Sequence, residues 1–166
     1  TATRKHLLNI ALCLLLILGS FEALMGPDLV SNLRDFTGRY GAYLLLISLL
    51  FTPLSHRFKW AKRNLWMRRN IGVWWFIYAA AHLIIWIVLE FYFDWALMMD
   101  EIKGNLFILL GILAFALLLP LALTSNNLAV KYLSFHKWQL LHSLTYVAIS
   151  GVIAHHFMAQ KTAESE

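Results

Sequence analysis

The stretch Trp138-Gln-Leu-Leu-His142-Ser-Leu-Thr-Tyr-Val-Ala-Ile-Ser-Gly-Val-Ile-Ala-His155-His156 decides how the rest of the chain is read. It is apolar over a length that crosses a bilayer, since a spanning helix needs about 20 such residues. Yet it carries histidine near both ends. Imidazole is costly in hydrocarbon unless something engages it, so a histidine within a span is by default a functional residue. At 1.5 Å rise per residue, His142 and His155 stand roughly 20 Å apart along a helix. That separation points to sites at two levels of the membrane. A second apolar stretch, residues 71–95, holds His82 in its interior.

Composition agrees with a membrane protein. Of 166 residues, 60% are hydrophobic and 14% charged, whereas soluble domains run near half apolar and a quarter charged. One all-α bundle of about five transmembrane helices, a single domain over residues 1–166, accounts for the whole length. Cys13 is the only cysteine, so a disulfide within the chain and a cysteine-built zinc or iron–sulfur site are excluded. The net charge is +5. Its cations flank apolar runs, which fits membrane lipid as partner and not nucleic acid.

Five apolar segments stand out, at residues 7–25, 40–54, 71–95, 106–124 and 138–158, and no repeat period is evident among them. Lysine and arginine set the orientation. Arg4, Lys5, Arg57, Lys59, Lys62, Arg63, Arg68, Arg69, Lys131 and Lys137 fall on one side; Arg34, Arg39, Lys103 and Lys161 fall on the other. The first side is read as cytoplasmic. All nine acidic residues, from Glu22 to Glu166, lie at or near the opposite face. The N-terminus is then cytoplasmic, the C-terminus periplasmic, and the third and fifth spans run parallel. The basic start of the first span also suits a secretory signal peptide. The run is long for one and no clean small-x-small site follows, so it is read as a span.

The loops carry weaker signals. Gly26-Pro27-Asp28 reads as a turn within an outer loop at residues 26–39. Gly38 beside Arg39 could bring a cation close to an anionic group, although a snorkelling helix-end arginine explains Arg39 as well. The inner loop at residues 55–70 mixes cations with Phe58, Trp60, Leu65 and Trp66, which suits an anionic membrane surface. Pro120 lies late in the fourth segment, where it is expected to kink the helix.

Of the seven histidines, His6, His56 and His136 sit beside basic residues at cytoplasmic edges and are read as solvated. A lone buried histidine is more often a hydrogen-bonded core residue than a ligand. The pattern of the other four argues for ligation. Arg69 precedes His82 by 13 residues, and His142 precedes His155 by 13. On parallel helices, His82 and His155 share an outer level, while Arg68, Arg69 and His142 share an inner one. The outer level offers two imidazoles to one iron, and the inner level offers an imidazole with two cations for haem propionates. Ala79-Ala80-Ala81, Ser150 and Gly151 would let a flat macrocycle approach, with Trp74, Trp75, Tyr78 and Tyr146 at its edges. Helix packing alone accounts equally well for small residues. In an ideal helix 13 residues turn about 140° off the starting face, so wheel geometry prefers His156 to His155 as the partner of His142. A bend or change of pitch is needed for His155. Zinc wants four protein or water ligands, and no carboxylate lies at the depth of His82 or His142. Haem needs only one or two imidazoles from the protein.

At these residues the chain resembles the MsrQ (YedZ) family, haem-binding membrane subunits of periplasmic methionine sulfoxide reductase systems within the ferric-reductase-like transmembrane group. The resemblance runs through Phe36-Thr37-Gly38-Arg39, Thr52-Pro53-Leu54, Arg68-Arg69-x-x-Gly72, Tyr78-Ala79-x-x-His82, Leu123-Thr124-Ser125 and Trp138-x-x-Leu141-His142-x-x-x-Tyr146, ending at His155. It implies a multi-pass protein of the bacterial inner membrane holding one or two haems b. An ungapped match puts axial ligands on His82, His142 and His155 rather than His156, which stays the alternative from wheel geometry, and cofactor contacts on Arg68, Arg69 and Arg39. It further implies electrons from quinone or a cytosolic flavin reductase, with quinone or FMN as an associated cofactor. They would leave toward a periplasmic molybdenum-containing reductase. Family members usually have a sixth span, and five are read here. No Gly-x-Gly-x-x-Gly fingerprint for a dinucleotide appears. Two other readings stand beside the conduit: a ferric or cupric reductase acting at the outer haem, and a haem-free anchor or proton-relay bundle.

Overall fold

A computed structural model describes residues 2–163, and the described residues fold into helices and connecting turns. The acidic residues Glu164 and Glu166, counted in the charge asymmetry above, lie outside the described residues. The chain forms two compact units that divide after Tyr92. Among the described residues, four helices or helical stretches are long and apolar enough to cross a membrane: Ala2–Leu24, Trp66–Glu90, Leu106–Leu123 and Phe135–Thr162.

The first unit begins with α1 (Ala2–Leu24) and α2 (Leu29–Arg57). Residues 26–39 are therefore not an open loop, as the sequence had suggested. Only the turn at Gly26-Pro27 stays outside a helix, and Asp28 starts α2 by accepting the Ser31 amide at 3.1 Å. Such a cap satisfies one of the donors that a helix start leaves unpaired. The polar run Arg34-Asp35, which made the start of this helix look like loop, lies in its first turns. With α2 counted, the bundle has about five spanning helices, as composition indicated. A short α3 (Lys59–Arg63) follows inside the basic loop, and then α4 (Trp66–Ile85). Beyond His82 the helix widens into a π-helical turn, Trp86–Glu90. The chain then leaves through left-handed backbone at Tyr92 (φ 48°).

Close packing of α2 on α4 organises this unit. Gly41 brings the α2 backbone onto Tyr78, where an added Cβ would stand 3.3 Å from the Tyr78 Cβ. Tyr78 is fully buried and donates its hydroxyl to the Leu12 carbonyl of α1 at 3.3 Å. Ser48 donates to the Arg68 carbonyl at 3.0 Å, and Trp74 donates to Asn9 Oδ1 of α1 at 3.0 Å. Without a hydrophobic force between helices in lipid, close approach and hydrogen bonds like these hold a bundle, at roughly 0.6–2 kcal/mol per bond. Trp75 and Tyr78 are accordingly core residues of the unit.

The second unit contains α5 (Trp95–Gly104), α6 (Leu106–Leu123), α7 (Asn127–Leu133), α8 (Phe135–Ser143) and α9 (Thr145–Ala163). Asp94 caps α5 through the amides of Ala96 and Leu97. Pro120 lies within α6, which continues to Leu123. The buried side of α6 runs through Ile108, Ala114, Leu118 and Leu121. It packs on α9, where Ala148 is fully buried and a Cβ on Gly151 would meet the Ala114 Cβ at 3.2 Å. Tyr146 is exposed.

The fifth apolar segment is not one uninterrupted helix. At Leu144 the amide donates to Leu141, three residues back, at 3.1 Å. A turn wound at 3.0 residues instead of 3.6 adds about 20° per residue. Over its three residues that turns His155 by about 60° toward the face of His142, part of the 140° that 13-residue spacing leaves open.

Candidate functional site

Four histidines lie inside the apolar helices, and each is half-buried. His6, His56 and His136 are exposed.

In the first unit, α4 carries His82 against the N-terminal half of α2. The ring Nδ1 lies 3.0 Å from the carbonyl oxygen of Arg34. One turn further along α2, Gly38 leaves room for the ring: a Cβ there would stand 3.0 Å from both Nδ1 and Cε1. Thr37, buried beside them, donates its hydroxyl to the Leu33 carbonyl at 2.8 Å. The Arg34 guanidinium reaches Glu90 of the π-helical turn at 2.6 Å. A carbonyl oxygen only accepts, so His82 holds its proton on Nδ1 in the neutral ring, and Nε2 carries the lone pair.

In the second unit, α9 carries His155 against α6. Its Nδ1 lies 2.7 Å from the Phe107 carbonyl oxygen. Gly111, one turn further on, makes room: a Cβ would meet Nδ1 at 2.8 Å and Cε1 at 3.0 Å. The Phe107 ring lies tilted beside the imidazole, with centroids 5.9 Å apart. The tautomer is again fixed with the proton on Nδ1. Of the adjacent pair, His155 is the residue turned onto α6.

His142 is held differently. Its Nε2 lies 3.0 Å from Thr124 Oγ1. That hydroxyl commits its single proton to the Pro120 carbonyl at 2.7 Å, so it accepts from His142, whose proton sits on Nε2. The ring stacks on Trp138, with centroids 4.1 Å apart at 28°. Trp138 in turn donates to the Thr124 carbonyl at 2.9 Å. Thr124 thus orders both rings.

Within the first unit the arginines stand apart from the His82 ring. Arg39 follows Gly38 but is exposed. Arg68 and Arg69 lie near the start of α4, some 20 Å from His82 at 1.5 Å per residue, which is the separate level that the 13-residue spacing implied. The Arg68 carbonyl is engaged by Ser48. Sequence reading passed over Gly111, Thr124 and Trp138 as site residues, and it read Gly38 for its neighbour's charge. One signal was present: Arg34 and His82, and Phe107 and His155, are both 48 positions apart.

Fold and site together define a multi-pass α-helical membrane protein with ordered imidazoles inside its spans. The chain belongs to the ferric reductase like transmembrane component family, whose pattern matches residues 37–153. Among curated proteins it is 34% identical over 137 residues to the protein-methionine-sulfoxide reductase heme-binding subunit MsrQ of Caulobacter vibrioides, covering 82% of this chain and 65% of that one. The MsrQ of Brucella ovis is 34% identical over 142 residues, covering 86% and 63%. The magnetosome protein MamZ of Paramagnetospirillum magneticum is 36% identical over 141 residues, covering 85% and 22%. The chain therefore spans less than two thirds of the length of these relatives. The resemblance to the MsrQ family drawn from the sequence motifs is borne out. No solved structure matches the chain.

Proposed function

We propose that this protein is a transmembrane b-type haem protein of the bacterial inner membrane. It passes electrons from quinone or a cytosolic flavin reductase outward to a periplasmic reductase of the methionine sulfoxide reductase kind, a molybdenum-containing one. Residues 1–166 act as one haem-binding domain, with the N-terminus cytoplasmic and the C-terminus periplasmic, as the ten-to-four distribution of lysine and arginine favours.

The observation that carries this reading is the state of the imidazoles. His82 and His155 each give Nδ1–H to a backbone carbonyl of a neighbouring helix. A metal-bound histidine characteristically uses its other ring nitrogen in this way, which fixes the tautomer and raises ligand basicity. The donor set therefore fits an axial ligand. Among the described residues no three of His, Cys, Asp and Glu gather around a common point. That favours a cofactor that brings its own equatorial nitrogens over an ion held by side chains alone. The relatives named as heme-binding subunits support the same choice.

Bound haem would supply a one-electron carrier, iron alternating between ferrous and ferric. The chain's part is to ligate and insulate. His82 and His155 would hold the haem iron through Nε2, and His142 would do so once its Nε2 is released from Thr124. Arg68, Arg69 and Arg39 would be the cations for propionates, with one or two haems per chain. Apolar outward faces such as Leu113, Leu119 and Leu123 of α6 keep the sites in a lipid medium.

Reduced-minus-oxidised absorbance of the purified protein tests the reading, with haem per chain measured for the wild type and for His82→Ala, His142→Ala and His155→Ala. A low-spin b-type signal lost in His82→Ala and His155→Ala is expected. A flat wild-type spectrum sinks the proposal in favour of an anchor subunit. Rapid reduction of a ferric chelate by the reduced protein alone moves the function to metal reduction.

A further inference from the structure

The two histidine settings correspond atom for atom. Residues 34, 38 and 82 of the first unit map onto 107, 111 and 155 of the second by one shift of 73 (107 − 34, 111 − 38 and 155 − 82). The same shift carries the buried Gly41, Leu45 and Ser48 of α2 onto the buried Ala114, Leu118 and Leu121 of α6. It also carries the Gly41–Tyr78 approach onto the Ala114–Gly151 approach. No repeat was evident in the sequence because little besides glycine, leucine and histidine coincides. Each helix pair offers a carbonyl, a glycine one turn later, and an imidazole from the facing helix.

Chemistry explains why both elements are needed. The carbonyl selects the Nδ1–H tautomer. A helix backbone can bring that carbonyl within 3.0 Å of a ring on its neighbour only if the residue one turn on has no Cβ. At Gly111 a methyl group would stand at 2.8 Å from Nδ1, closer than real Cβ atoms approach, and at Gly38 at 3.0 Å. The ring would have to shift, by a few tenths of an ångström at Gly38 and by more at Gly111, which strains its bond to the carbonyl.

We infer that Gly38 and Gly111, with the backbone carbonyls of Arg34 and Phe107, form an imidazole seat that the chain carries twice, and that this seat sets the tautomer in which Nε2 bears the lone pair a metal takes. The inference rests on reading His82 and His155 as haem ligands. Gly38 and Gly111 are positioning residues, which act through the rings.

The test joins two measurements. In haem-free protein in detergent, ¹⁵N spectra of labelled histidine, assigned by single replacement, should show His82 and His155 protonated at Nδ1 and His142 at Nε2. In the haem-loaded protein, Gly38→Ala and Gly111→Ala should weaken haem binding by about 10- to 100-fold, the usual cost of losing an outer-shell partner. They should also shift the low-spin signal of what remains. Gly41→Ala is the control: its Cβ would be crowded too, though less, by Tyr78 at 3.3 Å, but touches no histidine, so any loss falls on stability while the spectrum keeps its wild-type form. Wild-type haem affinity and spectrum in both glycine variants, with haem still lost in His82→Ala and His155→Ala, overturns the seat and leaves the function standing. Nε2–H tautomers at His82 and His155 also overturn it. A wild type that takes no haem yet shows both Nδ1–H tautomers, disturbed by the glycine variants, keeps the seat and overturns the haem function.

Discussion

The imidazole of the first unit and that of the second are held by the same backbone features but by different side chains. Around His82 the carbonyl belongs to Arg34, whose guanidinium is paired with Glu90. Around His155 it belongs to Phe107, whose ring lies against the imidazole. Beyond His82 the helix opens into a π turn, while α9 stays α-helical past His155. What the two share is a carbonyl and a missing Cβ. What differs is charge in one case and an apolar ring in the other. The orientation of the histidine is thus a backbone property, and side chains at the carbonyl-bearing position are left to set the local polarity.

The largest expected effect tests how far the likeness extends into the packing below the rings. In the first unit the helices meet as Gly41 against the large Tyr78; in the second they meet as Ala114 against Gly151. Tyr78→Ala leaves a cavity in a fully buried position and loses the bond to Leu12. It should destabilise by about 3 kcal/mol, the scale of large-to-small core changes. Gly151→Leu drives methyl groups into α6 and should cost about 1–3 kcal/mol by overpacking. Chemical denaturation in detergent, followed by tryptophan fluorescence, reads both. If Gly151→Leu is neutral, α9 does not pack on α6 as described.

Much of this was legible in the sequence, and the part that was not has physical causes. Spans with high apolar content, such as α1 and α6, announce themselves by composition. The second span showed only its apolar half, residues 40–54, because Arg34, Asp35 and Arg39 lie within the helix; its start became clear only from the Asp28 cap. The in-span histidines were visible for the same reason that they matter, as polar groups where polarity is expensive. Their settings were invisible, because carbonyl oxygens carry no residue identity and Gly111 among leucines looks like any small residue in a membrane helix. Wheel geometry, which preferred His156, assumed uniform pitch through Leu144 and could not show that His155 lies against the Phe107 carbonyl.

The intermediate effect concerns the third ring. His142 has no counterpart of the glycine seat in its own setting; a threonine hydroxyl accepts from it and a tryptophan stacks on it. Thr124→Val keeps the shape and removes the acceptor, which should cost about 1 kcal/mol, the net worth of such a bond. The ¹⁵N signals of His142 should move while those of His82 and His155 stay in place. Movement of all three would mean that the rings share one network, and the contrast between a backbone-held pair and a side-chain-held third would fail.

The smallest effect asks whether side chains contribute to the seat at all. The Arg34–Glu90 pair is short at 2.6 Å, with about a third of each side chain exposed. Pairs with that access to solvent are worth about 0.2–1 kcal/mol, so Glu90→Gln should lower stability by no more than that. Arg34 donates nothing to His82; it offers its carbonyl, which α2 holds in place through its own helical bonds. The His82 tautomer should therefore survive Glu90→Gln, just as that of His155 should survive Phe107→Leu. A displacement of the His82 signal by Glu90→Gln as large as that caused by Gly38→Ala would place the control in the ion pair and not in the backbone. The two units would then hold their histidines by different means, and the shift of 73 would describe helix packing alone.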